Sequence, residues 1–197
     1  LTIEGVRVVV DAGLSRVPEY DPNGGASRLR TVRASRASVD QRRGRAGRTE
    51  PGICCRLWDE AATRGLMDAP TPEILAADLS GLALALAEWG EADAQKLTWL
   101  DPPPAGPMVA ARKALSDYGA LDAAGSLTPR GRAMAKLPLP PRMSALIVSA
   151  QNPQDKRLAA EIAALAGERG VGGNATDLSI RLQTFRSDRG VRAKTLM

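Results

Sequence analysis

Gln41-Arg42-Arg43-Gly44-Arg45-Ala46-Gly47-Arg48 sets four arginines, one glutamine and two glycines in eight consecutive positions. On a short helix, positions 41, 45 and 48 fall at i, i+4 and i+7 and share one face, while Arg42 and Arg43 turn elsewhere. Two guanidiniums and an amide on one face suit the β- and γ-phosphate oxygens of a nucleotide, through charge-assisted and often bidentate bonds. A run of arginines alone also reads as a solvated basic helix or as a grip on a nucleic-acid backbone. The Gln, Gly and Arg spacing is more particular than either of those needs.

The flanks read as α/β. Upstream, Val6-Arg7-Val8-Val9-Val10-Asp11 is a β-branched run that ends at Ala12-Gly13, the pattern of a buried strand and a turn. Such a strand wants neighbours on both sides, so the first domain is expected to be incomplete at its N-terminus. Between this strand and the arginine cluster, Arg16-Val17-Pro18-Glu19-Tyr20 and Ser27-Arg28-Leu29-Arg30-Thr31-Val32-Arg33 flank Asp21-Pro22-Asn23-Gly24-Gly25, a hairpin signal. The second arm alternates Arg with Leu, Thr and Val, so one face is cationic. Arg28, Arg30, Arg33 and Arg36 are expected to have few carboxylates near them, which offers a nucleic-acid contact beside the plainer reading of a charge-defended edge strand. Downstream, residues 52–58 read as a strand and 59–67 as a polar helix, with a boundary near 68–70.

From there the pattern turns helical. Thr71 is the expected N-cap of a helix carrying Ile74, Leu75, Leu79, Leu82, Leu86 and Trp89, closed by Gly90. Asp101-Pro102-Pro103-Pro104 is a stiff connector to a helix over 107–118 with Gly119 at its end. Leu121 and Leu127 bracket a short wing, and Thr128-Pro129 starts a third helix. Helix, helix, hairpin and helix in this order suggest a winged helix. After Pro141, stripes containing Leu146, Leu158, Ile162, Leu165, Leu182 and Phe185 read as the core of a helical bundle, with Asp155 and Asp177 as caps.

Composition narrows the chemistry. The 197 residues carry a formal charge of +5 and a pI near 9.7, which favours polyanionic partners. Eight arginines and one acid, Asp40, lie between Ala26 and Arg48. With no histidine, His triads, His bases and nearly all mixed His/Cys metal sites are excluded. Adjacent Cys54 and Cys55 form no CxxC motif and read as reduced strand residues of a cytoplasmic protein. No apolar run suits a membrane span.

The segment 41–48 resembles motif VI of the DEAH-box, superfamily 2 helicases, QRxGRxGR, at every fixed position. Leu1-Thr2-Ile3-Glu4-Gly5 and Val8-Val9-Val10-Asp11-Ala12-Gly13-Leu14 resemble the end of motif V and the strand after it. Ser35, Ala37, Ser38, Pro51, Gly52 and Arg56-Leu57 fit the surrounding pattern. Residues 90–104, Gly119-Ala120-Leu121-Asp122 and Leu127-Thr128-Pro129-Arg130-Gly131-Arg132 look like the family's winged helix. Trp89, Trp99 and Arg16-Val17-Pro18 are similar to the bacterial HrpB-type branch.

The resemblance implies an α/β region followed by a mostly α region. It divides as the end of a second RecA-like domain with a partial parallel sheet and hairpin (1–69), a winged helix (70–140) and the start of a helical bundle (141–197). It implies an ATP-dependent RNA helicase in which Gln41, Arg45 and Arg48 face the triphosphate and Arg48 is the arginine finger. Thr2 and Glu4 match the residues near the ribose, although many members carry Asp in place of Glu4. The hairpin is similar to an element beside the RNA path; the resemblance assigns no individual arginine there, and Arg28, Arg30 and Arg33 are candidate contacts by their charge alone. ATP with Mg²⁺ is the implied cofactor. The sequence has neither G-x-x-x-x-G-K-[ST] nor a DEAH tetrad, so the chain is expected to be an internal fragment, inactive alone, with the Mg²⁺ ligands in another domain. RNA is the expected partner, DNA is not distinguished by backbone-directed arginines, and no oligomeric state follows. The alternative is a non-enzymatic winged-helix module that grips a nucleic-acid backbone.

Overall fold

The structure is a computed structural model that describes residues 5–21, 26–91, 93–168, 170–188 and 190. It is a mixed α/β chain whose contacts form two compact units, Leu1–Asp78 with Trp99–Pro104, and Leu79–Thr98 with Ala105–Met197.

In the first unit, β1 (Val8–Asp11) is followed by the ribbon of β2 (Leu14–Asp21) and β3 (Ala26–Arg33), then α1 (Arg36–Arg43), β4 (Ile53–Arg56) and α2 (Glu60–Arg64). β1 and β4 pair in parallel, Val8 against Ile53 through Asp11 against Arg56. A parallel pair needs a long crossover, which the ribbon and α1 supply here. β2 and β3 pair antiparallel from Leu14↔Arg33 to Asp21↔Ala26. The expected turn at 22–25 lies outside the described residues.

The expectation that β1 is buried does not hold. Val8 and Val10 are 58% and 64% exposed, because β4 is the strand that pairs with β1 and no second layer covers that face among the described residues. The core of this unit lies below α1 instead, where Ala34, Val39 and Leu66 are buried and Trp58 packs against them. Ser35 Oγ accepts from Ser38 N at 3.2 Å. Arg36 N and Ala37 N donate to Met67 O and Asp68 O at 2.7 and 2.9 Å. The donors that begin α1 are therefore satisfied by protein.

The expected single helix from Thr71 to Trp89 is two pieces, a 3₁₀ turn at Glu73–Leu75 and α3 (Ser80–Trp89). The apolar residues on either side of the break serve different units, so one continuous stripe would not bury both. Gly90 closes α3 with φ +90°, as the sequence predicts.

The second unit continues with α4 (Ala105–Asp117), α5 (Pro129–Ala135), α6 (Pro141–Ser149), α7 (Pro153–Gly167) and α8 (Leu178–Ser187). The wing is a single antiparallel bridge, Leu121↔Leu127. Thr128 Oγ1 donates to Gly119 O at 2.7 Å and accepts from Gly131 N at 3.0 Å, so one hydroxyl closes the wing and caps α5. Gly131 is required there, since a Cβ would lie 2.2 Å from Ala120 O. α7 is capped by Asn152, whose Oδ1 accepts from Asp155 N at 2.8 Å, rather than by Asp155. Asp177 caps α8 as expected.

Glu161 on α7 is 6% exposed and is held by Arg157 Nε at 3.1 Å and by Arg186 Nε and Nη2 at 2.9 and 2.6 Å. Burial pushes its pKa up, but hydrogen bonds from Arg186 and then Arg157 outweigh it and hold the carboxyl below the usual glutamate range. A depressed folded pKa means stability that is present above the ordinary glutamate value and lost as pH falls through the lowered one. Glu161→Gln is expected to cost about 1–2 kcal/mol at neutral pH. The readout is roughly ten-fold faster amide exchange in α7 and α8, with the gap to wild type closing as the pH is taken below the glutamate range.

Candidate functional site

Asp11 ends β1 with its side chain 3% exposed, and a carboxylate buried there must be paired. Its partner is Arg42, in the last turn of α1. Arg42 Nε donates to Asp11 Oδ2 at 2.9 Å, and Nη2 stands 2.9 Å from Oδ1. Gly13 N donates to Asp11 Oδ1 at 2.8 Å. Gly13 has φ +72°, and a Cβ on it would meet the Trp58 ring at 2.9 Å, so glycine satisfies both the turn and the packing. Arg42 also donates from Nη1 to Leu14 O at 3.0 Å.

Neighbouring charges are sorted in the same way. Arg56 Nη2 lies 2.7 Å from Asp40 Oδ1, and its guanidinium carbon stands 5.5 Å from the centre of the Trp58 ring. Arg43 reaches the same Asp40 oxygen at 3.8 Å. Arg42 and Arg43 thus both have carboxylate partners within the protein, a buried one for Arg42 and a partly exposed one for Arg43.

The expected geometry of those three positions needs correction. α1 stops at Arg43 with Gly44 as C-cap. Arg45 N and Ala46 N then donate to Arg42 O and Arg43 O at 3.0 and 3.1 Å, three residues back rather than four. Gln41 therefore lies in the last helical turn, Arg45 in a tighter turn and Arg48 beyond it, instead of on one α-helical face. Gly44 caps the helix, and Gly52 fixes where the chain goes. A Cβ at Gly52 would lie 1.9 Å from Ala46 O and 2.8 Å from Arg7 O, so Ala46, 3% exposed, is pinned against the start of β4. Gln41 and Arg48 are exposed and Arg45 is half-buried on the loop so anchored.

The hairpin arginines have closer carboxylates than the sequence suggests. Arg30 Nε lies 3.3 Å from Glu19 Oε2 and Arg36 Nε 3.7 Å from Asp68 Oδ1, both exposed pairs of small energetic weight. Arg28 faces Glu19 across the ribbon and Arg33 faces Leu14. A cleft of about 820 Å³ runs between this ribbon and residues 67–77, lined by Ser15, Val17, Arg30, Val32, Met67 and Glu73. Thr2 and Glu4 lie outside the described residues. Among the described residues no helix is long and apolar enough to cross a membrane.

Gln41, Arg45 and Arg48 supply donors suited to phosphate oxygens and no acceptor charge. No group of three or more metal-ligating Cys, Asp or Glu side chains occurs among the described residues. The arginine loop therefore fits the phosphates of a nucleotide and does not itself fit Mg²⁺. Sequence reasoning did not single out the Asp11–Arg42 clamp. Its signal was a carboxylate at the end of an apolar strand, which requires a cation within reach.

Residues 111–139 match the model of the helicase associated domain (HA2), winged-helix. The chain is 44% identical over 180 residues to the ATP-dependent RNA helicase HrpB of Escherichia coli (strain K12), covering 91% of this chain and 22% of that protein. It is 42% identical over 150 residues to the pre-mRNA-splicing factor ATP-dependent RNA helicase prp22 of Schizosaccharomyces pombe, covering 76% of this chain and 13% of prp22. In fold, it matches a crystal structure of the Escherichia coli DEAH/RHA helicase HrpB with a TM-score of 0.83 at 40% identity, over all of this chain and 25% of that one. The chain thus spans about a fifth of the length of the curated HrpB.

The Gly52 contact makes the loop testable. Gly52→Ala places a methyl against a backbone oxygen that has no rotamer to yield, and is expected to cost at least about 2 kcal/mol. Amide exchange should quicken at residues 44–48 before it does in the second unit. Exchange unchanged at 44–48 would mean that Gly52 does not pin the loop.

Proposed function

We propose, from the premise that the chain belongs by sequence and fold with the HrpB-type DEAH-box helicases, that the whole protein is an ATP-dependent RNA helicase and that this chain carries one half of its nucleotide site. The reading takes residues 1–69 as the end of a second RecA-like domain, 70–140 as a winged helix and 141–197 as the start of a helical bundle. Gln41, Arg45 and Arg48 engage the β- and γ-phosphates, and Thr2 and Glu4 approach the ribose. Arg28, Arg30 and Arg33 lie along the nucleic-acid backbone. ATP arrives with Mg²⁺ held by another domain, so the chain alone does not hydrolyse ATP. The compartment is the cytoplasm.

The observation that carries this reading is that the backbone of one short segment is anchored on both sides of Arg45. Arg42 is held by the buried Asp11 carboxylate, while Ala46 is pinned by the approach of Gly52. Arg45 and Arg48 are thereby presented from an anchored loop, and anchoring is what an arginine needs to stabilise charge developing in a transition state without reorganising. When bound, the magnesium nucleotide supplies the phosphoryl group and its leaving group. The contribution of these residues is to bind the phosphate oxygens, orient them and neutralise charge as the terminal bond breaks.

The winged-helix match at residues 111–139 also supports a narrower reading, a nucleic-acid-binding module without catalysis. That reading predicts salt-dependent RNA binding indifferent to ATP analogues, and leaves Gln41 and the glycine spacing without a role.

In the whole protein, Arg48→Ala is expected to lower RNA-stimulated ATP turnover by about 10³-fold or more, the range seen when an arginine finger is removed. Its thermal stability should stay within a degree or so of wild type. Unchanged turnover would remove Arg48 from the role of finger.

A further inference from the structure

Arg42 does more than pair with a buried acid. Its guanidinium bonds in three directions: to Asp11 at the end of β1, to Leu14 O at 3.0 Å, and to Ser15 Oγ at 3.5 Å, with the last two at the first residues of β2. Arg42 itself stands on the last turn of α1, three residues before Arg45. One planar group therefore joins the strand end, the base of the hairpin and the helix that leads into the arginine loop.

Each end of this link is stiff. The Asp11 carboxylate is buried and also holds Gly13 N, so it cannot turn to follow a moving partner. The other leg of the hairpin returns to the same turn, because Ala34 N donates to Gly13 O at 2.9 Å. The base of the ribbon is thus gathered at residues 11–15, and Arg42 is the side chain that ties this base to α1. A lysine ammonium could keep the charge pair with Asp11, but it cannot span Asp11 and Leu14 O with a fixed fork.

We propose that Arg42 is a positioning residue that fixes the hairpin to the arginine loop, so that the β2–β3 ribbon and the loop shift as one body when the loop engages nucleotide phosphate. The inference rests on the reading that Arg45 and Arg48 engage phosphate. It assigns to Arg42 no contact with the nucleotide. Its role is to keep hydrolysis and displacement of nucleic acid in step.

The test uses the whole protein and an RNA duplex with a single-stranded overhang, and measures ATP hydrolysed and base pairs opened in the same reaction. Arg42→Lys is expected to lower base pairs opened per ATP several-fold, because lysine keeps the charge pair with Asp11 but not the bond to Leu14 O. A loss of fold or of nucleotide affinity would move both quantities together and leave that ratio unchanged, which would overturn the proposal. Arg48→Ala, by contrast, acts on hydrolysis itself, so the two assignments fail separately. Amide exchange on the unmodified whole protein decides the matter even if Arg42→Lys does not fold. A non-hydrolysable ATP analogue should slow exchange at residues 14–21 and 26–33 as well as at 44–48. Protection confined to 44–48 would overturn the link.

Discussion

A carboxylate at the end of a strand, with its side chain 3% exposed, needs partners for its oxygens, and in this chain that requirement organises the first unit. Asp11 takes Arg42, and the pairing draws the end of α1 to the end of β1. The turn at Gly13, the base of the hairpin and the exit from α1 are all set within a few residues of that contact. Removing Arg42 would leave the Asp11 carboxylate buried without its cation, which is why the arrangement is stiff as well as stable. The loop beyond α1 is held by the close approach of Gly52 to Ala46.

Stiffness is also what the proposed chemistry needs. A guanidinium stabilises a developing phosphate charge best when it is already in place, since any motion needed to reach the charge subtracts from the stabilisation. Arginine is entropically costly to hold still, and an anchored backbone lowers that cost. Arg42 engages the buried Asp11 carboxylate, Ala46 is pinned against Gly52, and Arg45 and Arg48 lie within six residues of the first contact. The second unit uses the same chemistry for a different end. Glu161, buried between Arg157 and Arg186, ties α7 to α8 rather than building a site.

Much of this was legible in the residues, and the failures share a cause. Local signals gave correct answers where a short-range bond decides the structure. Gly90 ends α3, Thr128 with Pro129 starts α5, Asp177 caps α8, and Leu121 and Leu127 bracket the wing. Readings failed where a distant part of the chain decides. The segment 71–89 has a continuous helical stripe, yet its two parts serve different units. Positions 41, 45 and 48 have helical spacing, yet the helix ends at Arg43 with Gly44 as its cap, and Gly52 lies close against Ala46. Arg30 and Arg36 appeared poor in nearby acids along the sequence, yet the ribbon brings Glu19 to Arg30 and a loop brings Asp68 to Arg36. The Asp11–Arg42 pair spans 31 residues, beyond the range of any periodicity.

On the proposed reading, arginines a few residues apart have separate tasks, one holding the fold and two meeting phosphate. That reading is tested most directly by the structure of the whole protein with a transition-state mimic, ADP and a metal fluoride, bound. The account predicts Arg45 and Arg48 nitrogens at about 2.7–2.9 Å from the phosphate or fluoride ligands, with Arg42 still bonded to Asp11. Arg42 on the phosphate with Asp11 released, or Arg45 and Arg48 both out of reach of the nucleotide, would contradict it.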